Sequence, residues 1–284
     1  MKILVTGAGG FIADHLITEL LLWGHEVIAT SRNTDKVESK NWFDRVRFIP
    51  YDIESGRGHS NCFELFLKPD AAIHLAWPDL PDFKTGRHLN IHAPAHFSFL
   101  EQLVRSGLPN LSVAGTCQEY GMIEGKQKES MKILPVTAYA TAKNEVREKL
   151  EQLSREVNFS LKWLRLYYIF GEGQYASALY SQVNRAIEEG KKEFNMSGGE
   201  QGRDYLPVEK MVRLIASVAV QTKETGIINC CSGSPVKIKD LVGEFFRLRN
   251  YQITLNLGYY PYPDYEPMNF WGDTDKLNRI ISAE

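Results

Sequence analysis

From the first residue to about residue 165, short apolar runs alternate with longer stretches in which apolar residues recur every three or four positions. The short runs, at residues 3–6, 26–30, 46–49, 71–75, 111–114 and 161–166, have the length and bounding turns of buried strands. The longer ones, clearest at 11–22, 89–104 and 138–157, carry the period of helices packed by one face. Strand and helix in alternation predict an α/β fold built on a doubly wound parallel sheet. Beyond residue 170 the alternation loosens into helices near 176–189, 209–222 and 238–248, short strands and a Pro/Tyr-rich tail. The chain is therefore expected to divide into a sheet domain over 1–170 and a smaller C-terminal α+β lobe over 171–284.

The first strand runs directly into Gly7-Ala8-Gly9-Gly10-Phe11-Ile12-Ala13, which opens the first helix. In that context a glycine turn lets backbone N–H groups approach a pyrophosphate at a positive helix end, the fingerprint of a Rossmann-type dinucleotide domain. An acidic residue roughly 20 positions on would accept from the ribose 2′-hydroxyl of NAD. Here the second strand ends in Ser31-Arg32 instead. Arginine can bind a 2′-phosphate through paired, charge-assisted bonds, so the chain is expected to use NADP(H) rather than NAD(H). Asp52 and Ile53, after the third strand, are placed to meet the adenine edge.

Tyr139 and Lys143 stand four residues apart on a predicted helix, hence on one face. A phenol is a weak acid–base group at neutral pH, and an adjacent ammonium favours its phenolate. Around this pair lie Thr6–Ile12 in the glycine turn, His74-Leu75-Ala76, Asn90, the run from Ala114 through Thr116-Cys117-Gln118-Glu119-Tyr120 to Gly121, Pro135 through Lys143, Leu164-Arg165, Phe170–Gln174 and Arg203–Val208. With these motifs the chain resembles the extended short-chain dehydrogenase/reductases, in the branch acting on nucleotide-sugars. The resemblance implies a catalytic Thr116, Tyr139 as acid–base, and Lys143 holding the nicotinamide ribose. It places Gly7, Gly9, Gly10, Phe11, Ile12, Ser31, Arg32, Asp52, Ile53, Leu75, Ala76 and Trp77 beside the cofactor with Tyr139 and Lys143. Trp77, Thr116, Tyr168 and Arg203 fall on the nucleotide-sugar, with Arg203 on its diphosphate. A homodimer is implied as well.

Departures from the family pattern narrow the reaction. Members that dehydrate a hexose carry Asp-Glu after the catalytic Thr, where this chain has Cys117-Gln118. Relatives that invert carbons beside a ketone use a Cys and a later His; Gln118 occupies that Cys place and all seven histidines lie at or before His96. There remain reduction of a keto group and a 4-epimerase that retains NAD. The Ser31-Arg32 pair favours reduction, and Trp77 and Tyr168 suggest an apolar wall for a 6-deoxy sugar. The expected reaction is NADPH-dependent reduction of a dTDP- or CDP-linked 4-keto-6-deoxyhexose, supplying surface glycans. A non-catalytic redox sensor is the rival from another class.

Bulk properties restrict the picture further. The 33 basic and 35 acidic side chains leave a net charge of −2, which gives no field for nucleic acid. No apolar run approaches the roughly 20 residues of a membrane span. Cys62, Cys117, Cys230 and Cys231 lack metal or disulfide spacing, in keeping with a reducing cytoplasm. His88, His92 and His96 recur at helical spacing without a carboxylate or Cys to complete a metal set, so they are expected to stack on a helix surface and no metal is expected.

Overall fold

A computed structural model describes residues 1–56 and 61–282. The apolar runs form one parallel sheet of β1 (Lys2–Thr6), β2 (Glu26–Thr30), β3 (Arg47–Phe48), β4 (Ala71–His74), β5 (Asn110–Thr116), β6 (Ser160–Leu166) and β7 (Gly226–Cys230). Their spatial order is β3-β2-β1-β4-β5-β6-β7, the doubly wound α/β arrangement expected from the sequence. Winding reverses between β1 and β4, and ligands of such sheets bind beyond the carboxyl ends of the strands at that point. Buried on both faces, β5 has no exposed residue along its length, which is why it reads as an unbroken run.

One face of the sheet is covered by α1 (Phe11–Leu22) and, on the far side, the other is covered by α2 (Ala93–Arg105) and α3 (Ala138–Glu156). The helix expected over 89–104 is divided. Residues His88–His92 wind as a wider π turn, and α2 begins at Ala93 with Pro94 in its first turn. Proline has no N–H to donate and fits the first turn of a helix rather than its interior. The α3 helix starts where Thr137 accepts from the Ala140 N–H, a side-chain cap.

The chain beyond residue 170 divides between two layers. Helix Leu179–Glu188 and helix Ile238–Leu248 bury Val183, Phe194, Phe245 and Phe246 in a separate apolar cluster, the core of a lobe. Helix α4 (Val208–Val220) and β7 return to the sheet: Met211, Ile215 and Val218 pack with Ile3 and Leu16, and β7 pairs with β6. Among the described residues no helix is long and apolar enough to cross a membrane.

Candidate active site

Gly7 follows β1 with φ +75°, a conformation that L side chains rarely adopt, and a Cβ there would stand 2.8 Å from the Ala76 backbone. The Gly10 N–H donates to the Gly7 carbonyl at 2.8 Å and closes the turn. Gly10 then begins α1 without a side-chain cap, so the first N–H groups of the helix are available to an anion. An open cleft of about 520 Å3 lies against this turn. It is lined by Gly7, Gly9, Gly10, Ser31, Arg32, Asp52, Ile53, Leu75, Ala76 and Trp77, and its size and bare glycine backbone fit a dinucleotide. Phe11 and Ile12, partly buried, pack their side chains against the core, and their backbone N–H groups open the helix at the turn.

Lys36, Glu54 and His96 line the same cleft; no motif in the sequence marks Lys36 or Glu54, and His96 reads there only as one of three histidines at helical spacing. Arg32 Nη1 lies 3.8 Å from Glu54 Oε2, so the guanidinium at the β2 end has a carboxylate beside it. Glu54 Oε1 lies 2.6 Å from His92 Nδ1, and His92 Nε2 lies 2.8 Å from Asp79 Oδ2. Arg87 pairs with Asp79 at 2.6 Å, and Arg87 and His92 together hold that carboxyl below its ordinary range. The expected surface stacking of the three histidines is corrected here: His88, His92 and His96 are all buried. The π turn carries His88 and His92 inward, where His88 stacks on Trp77 and His96 bonds to His74 at 2.8 Å.

Thr116 ends β5 and caps the short turn Cys117–Tyr120, its Oγ1 accepting from the Gln118 N–H at 3.2 Å. Its own N–H donates to Glu119 Oε1 at 2.9 Å, and Glu119 also accepts from Trp163 and, at 2.8 Å, from Arg165. Gly115 makes room for that fold, since a Cβ there would meet Trp163 Nε1 at 2.2 Å and Glu119 Oε1 at 2.7 Å. Glu119 and Arg165 are fully buried, so Thr116 is backed by a buried ion pair.

The Tyr139 phenol is brought within electrostatic reach of the Thr116 side chain. Burial pushes the phenol well above its ordinary value, with Glu119 and Cys117 adding to the rise and the Thr116 side chain opposing it. The expected shift toward phenolate is therefore absent, and Lys143 Nζ lies 5.9 Å from the Tyr139 ring centre. Lys143 itself is fully buried, donates to the Ala114 carbonyl at 2.8 Å and sits 4.0 Å from the centre of the Trp77 ring. Burial brings its ammonium down to about 7. Trp77 thus stands between the cleft and the Thr116–Tyr139–Lys143 group.

Arg203 and Tyr168 meet on the lobe side. Arg203 is buried, 4.6 Å over the Phe270 ring, and pairs with Glu266 at 3.1 Å; Tyr168 also donates to Glu266. Cys117 is buried beside them, and burial with the nearby Glu266 pushes its thiol well up. Glu266 was missed because its tail reads as Pro/Tyr filler; two acids, Asp264 and Glu266, among the aromatics were the available signal.

Residues 3–231 match the model of the NAD dependent epimerase/dehydratase family. The chain is 30% identical over 273 residues to a dTDP-6-deoxy-L-talose 4-dehydrogenase (NAD(+)) of Aggregatibacter actinomycetemcomitans, covering 96% of this chain and 99% of that protein. It is 25% identical over 258 residues to a dTDP-glucose 4,6-dehydratase of Streptomyces griseus, covering 85% of this chain and 76% of the other. The fold is similar to that of a UDP-glucuronic acid 4-epimerase from Bacillus cereus solved with UDP-glucuronic acid and NAD. The TM-score is 0.84 at 22% identity, covering 100% of this chain and 94% of that one.

Proposed function

The chain belongs to the NAD dependent epimerase/dehydratase family, and from that premise we propose that it is an oxidoreductase acting at carbon 4 of a dTDP-linked 6-deoxyhexose with a nicotinamide dinucleotide. The carrying observation is the grouping of Thr116, Tyr139 and Lys143 beside a position 117 that holds a neutral thiol. Elimination, or inversion beside a ketone, needs a second acid–base group next to the reacting carbon. Cys117 keeps its proton and Gln118 has none to exchange, so the residues support chemistry at one carbinol carbon. The A. actinomycetemcomitans protein, matched along nearly its whole length, is named for that type of reaction.

The bound nicotinamide would supply or accept the hydride. Gly7, Gly9 and Gly10 would hold the pyrophosphate, Asp52 and Ile53 the adenine, and Lys143 the nicotinamide ribose. In the reducing direction Tyr139 gives its proton to the sugar oxygen; a phenol raised by burial holds that proton until the oxygen becomes basic. Thr116 Oγ1 accepts from the Gln118 N–H, which leaves the hydroxyl proton to donate to the same oxygen. Trp77 walls the sugar site toward the cleft. Arg203 meets the diphosphate, in competition with Glu266.

The test supplies purified protein with dTDP-4-keto-6-deoxyhexose and follows loss of reduced-nicotinamide absorbance. Stoichiometric consumption with a sugar reduced at carbon 4 is the expected result. No net consumption, with exchange of C4 epimers of an unoxidised nucleotide-sugar, would make the protein a 4-epimerase.

A further inference from the structure

Arg32, Lys36, Asp52 and Glu54 share the end of the cleft beside β2. Two cations there would welcome a phosphate and two carboxylates would oppose it, so position and restraint decide. Asp52 is partly engaged, its Oδ1 accepting from the Glu54 N–H at 3.1 Å. Glu54 is enclosed: its buried Oε1 lies 2.6 Å from Nδ1 of the fully buried His92, whose Nε2 hydrogen-bonds the Asp79 carboxylate at 2.8 Å. The Arg32 side chain is 58% exposed, whereas that of Glu54 is 18% exposed. Arginine at this strand end, taken alone, would receive a 2′-phosphate. In this chain the enclosed neighbour of that arginine is an anion, 3.8 Å away.

Building on the reading of the cleft as a dinucleotide site, we propose that Glu54, set against His92, makes the protein select NAD(H) over NADP(H). A free 2′-hydroxyl brings the carboxylate a donor. A 2′-phosphate brings a second anion to a carboxylate that is buried against the His92 ring and is mostly shielded from water. The sequence expectation of NADP(H) rested on Arg32; the partner of Arg32 comes from the loop after β3, and the imidazole beside that partner from the turn before α2.

Dissociation constants for NADH and NADPH, measured by titration calorimetry without sugar substrate, test this directly. The wild-type chain should bind NADH more tightly. Glu54→Gln should move the affinity ratio toward NADPH by about tenfold or more, and His92→Gln should move it the same way by less. Arg32→Ala, a surface change that does not disturb the buried imidazole, should weaken NADPH by less than about threefold, because Glu54 already offsets the guanidinium. Tighter NADPH binding by the wild type, or a ratio that Glu54→Gln moves by less than about twofold, would overturn the role of Glu54 while leaving the dinucleotide site intact. Should neither dinucleotide bind, the reading of the cleft itself fails and takes this proposal with it.

Discussion

The two ends of the site, the catalytic group behind Trp77 and the adenosine end of the cleft, hold their charges in opposite ways. At the catalytic end Thr116, Glu119, Tyr139, Lys143 and Arg165 are all buried, and each is matched by protein partners such as the Thr116–Glu119 and Glu119–Arg165 contacts. At the adenosine end Arg32 and Lys36 are exposed, and only His92 and its contact with Glu54 lie inside. Burial magnifies electrostatic effects, while water flattens them. The buried end can therefore shift proton affinities by large amounts, as Tyr139 and Lys143 show. The exposed end can discriminate between ligands without being able to do acid–base chemistry.

Removing the reacting group at the buried end should have the largest effect. Tyr139→Phe is expected to lower kcat by about a thousandfold while dinucleotide affinity, read by calorimetry, is retained. Loss of binding together with turnover would mean that the ring, not the hydroxyl, is what the site needs. Next comes the ion pair beneath Thr116. Breaking a buried pair strands the remaining charge, so Glu119→Gln should cost about 3–5 kcal/mol in urea unfolding. A loss below about 1 kcal/mol would show that Arg165 finds water or another acceptor, and that the backing of Thr116 is not built on charge.

The difference between the ends also explains what could be read in the chain. Tyr139 and Lys143 are four residues apart on α3, and Gly7 through Gly10 lie within one turn, so local spacing grouped them and the motifs around them marked their roles. Six of the seven strands were legible as apolar runs, whereas β7, Gly226–Cys230, is interrupted by Asn229 and was not. Selectivity at the adenosine end depends on Arg32, Glu54 and His92, which come from three elements and touch only in the fold. Charge at Arg32 was legible; its compensation was not. The histidines misled for a related reason. Their four-residue spacing suggested a regular helix surface, but the π turn before Pro94 turns His88 and His92 into the interior.

The pH dependence should sharpen the contrast. Lys143, at about 7, loses its proton within the working range. Turnover as kcat/KM should fall as pH rises through about 7, and Lys143→Arg, which cannot deprotonate, should carry that limb upward by more than about one unit. Stability has the opposite sign. An unfolded lysine keeps its proton to about 10.4, so between about 7 and 10.4 the unfolded chain binds the extra proton and stability rises with pH. A kcat/KM limb and a urea midpoint that moved together would detach both from Lys143.

The smallest effect belongs to the exposed contact that joins the two segments over the catalytic end. Lys84 pairs with Asp264 at 3.4 Å, with side chains 68% and 82% exposed, beside the tilted contact of Phe83 with Tyr265 at 6.1 Å. The Phe83 carbonyl also accepts from the Tyr139 N–H at 3.1 Å, so this loop touches the reacting helix directly. An ion pair that wet gains little over its separately solvated charges. Asp264→Asn should shift the melting temperature by no more than about 2 °C and kcat/KM by less than about twofold. A larger fall in kcat/KM with an unchanged melting temperature would mean that the tail and the loop close over the sugar as one unit. Electrostatics at an exposed site would then be governing the buried end, and the separation between the two ends would be weaker than their burial suggests.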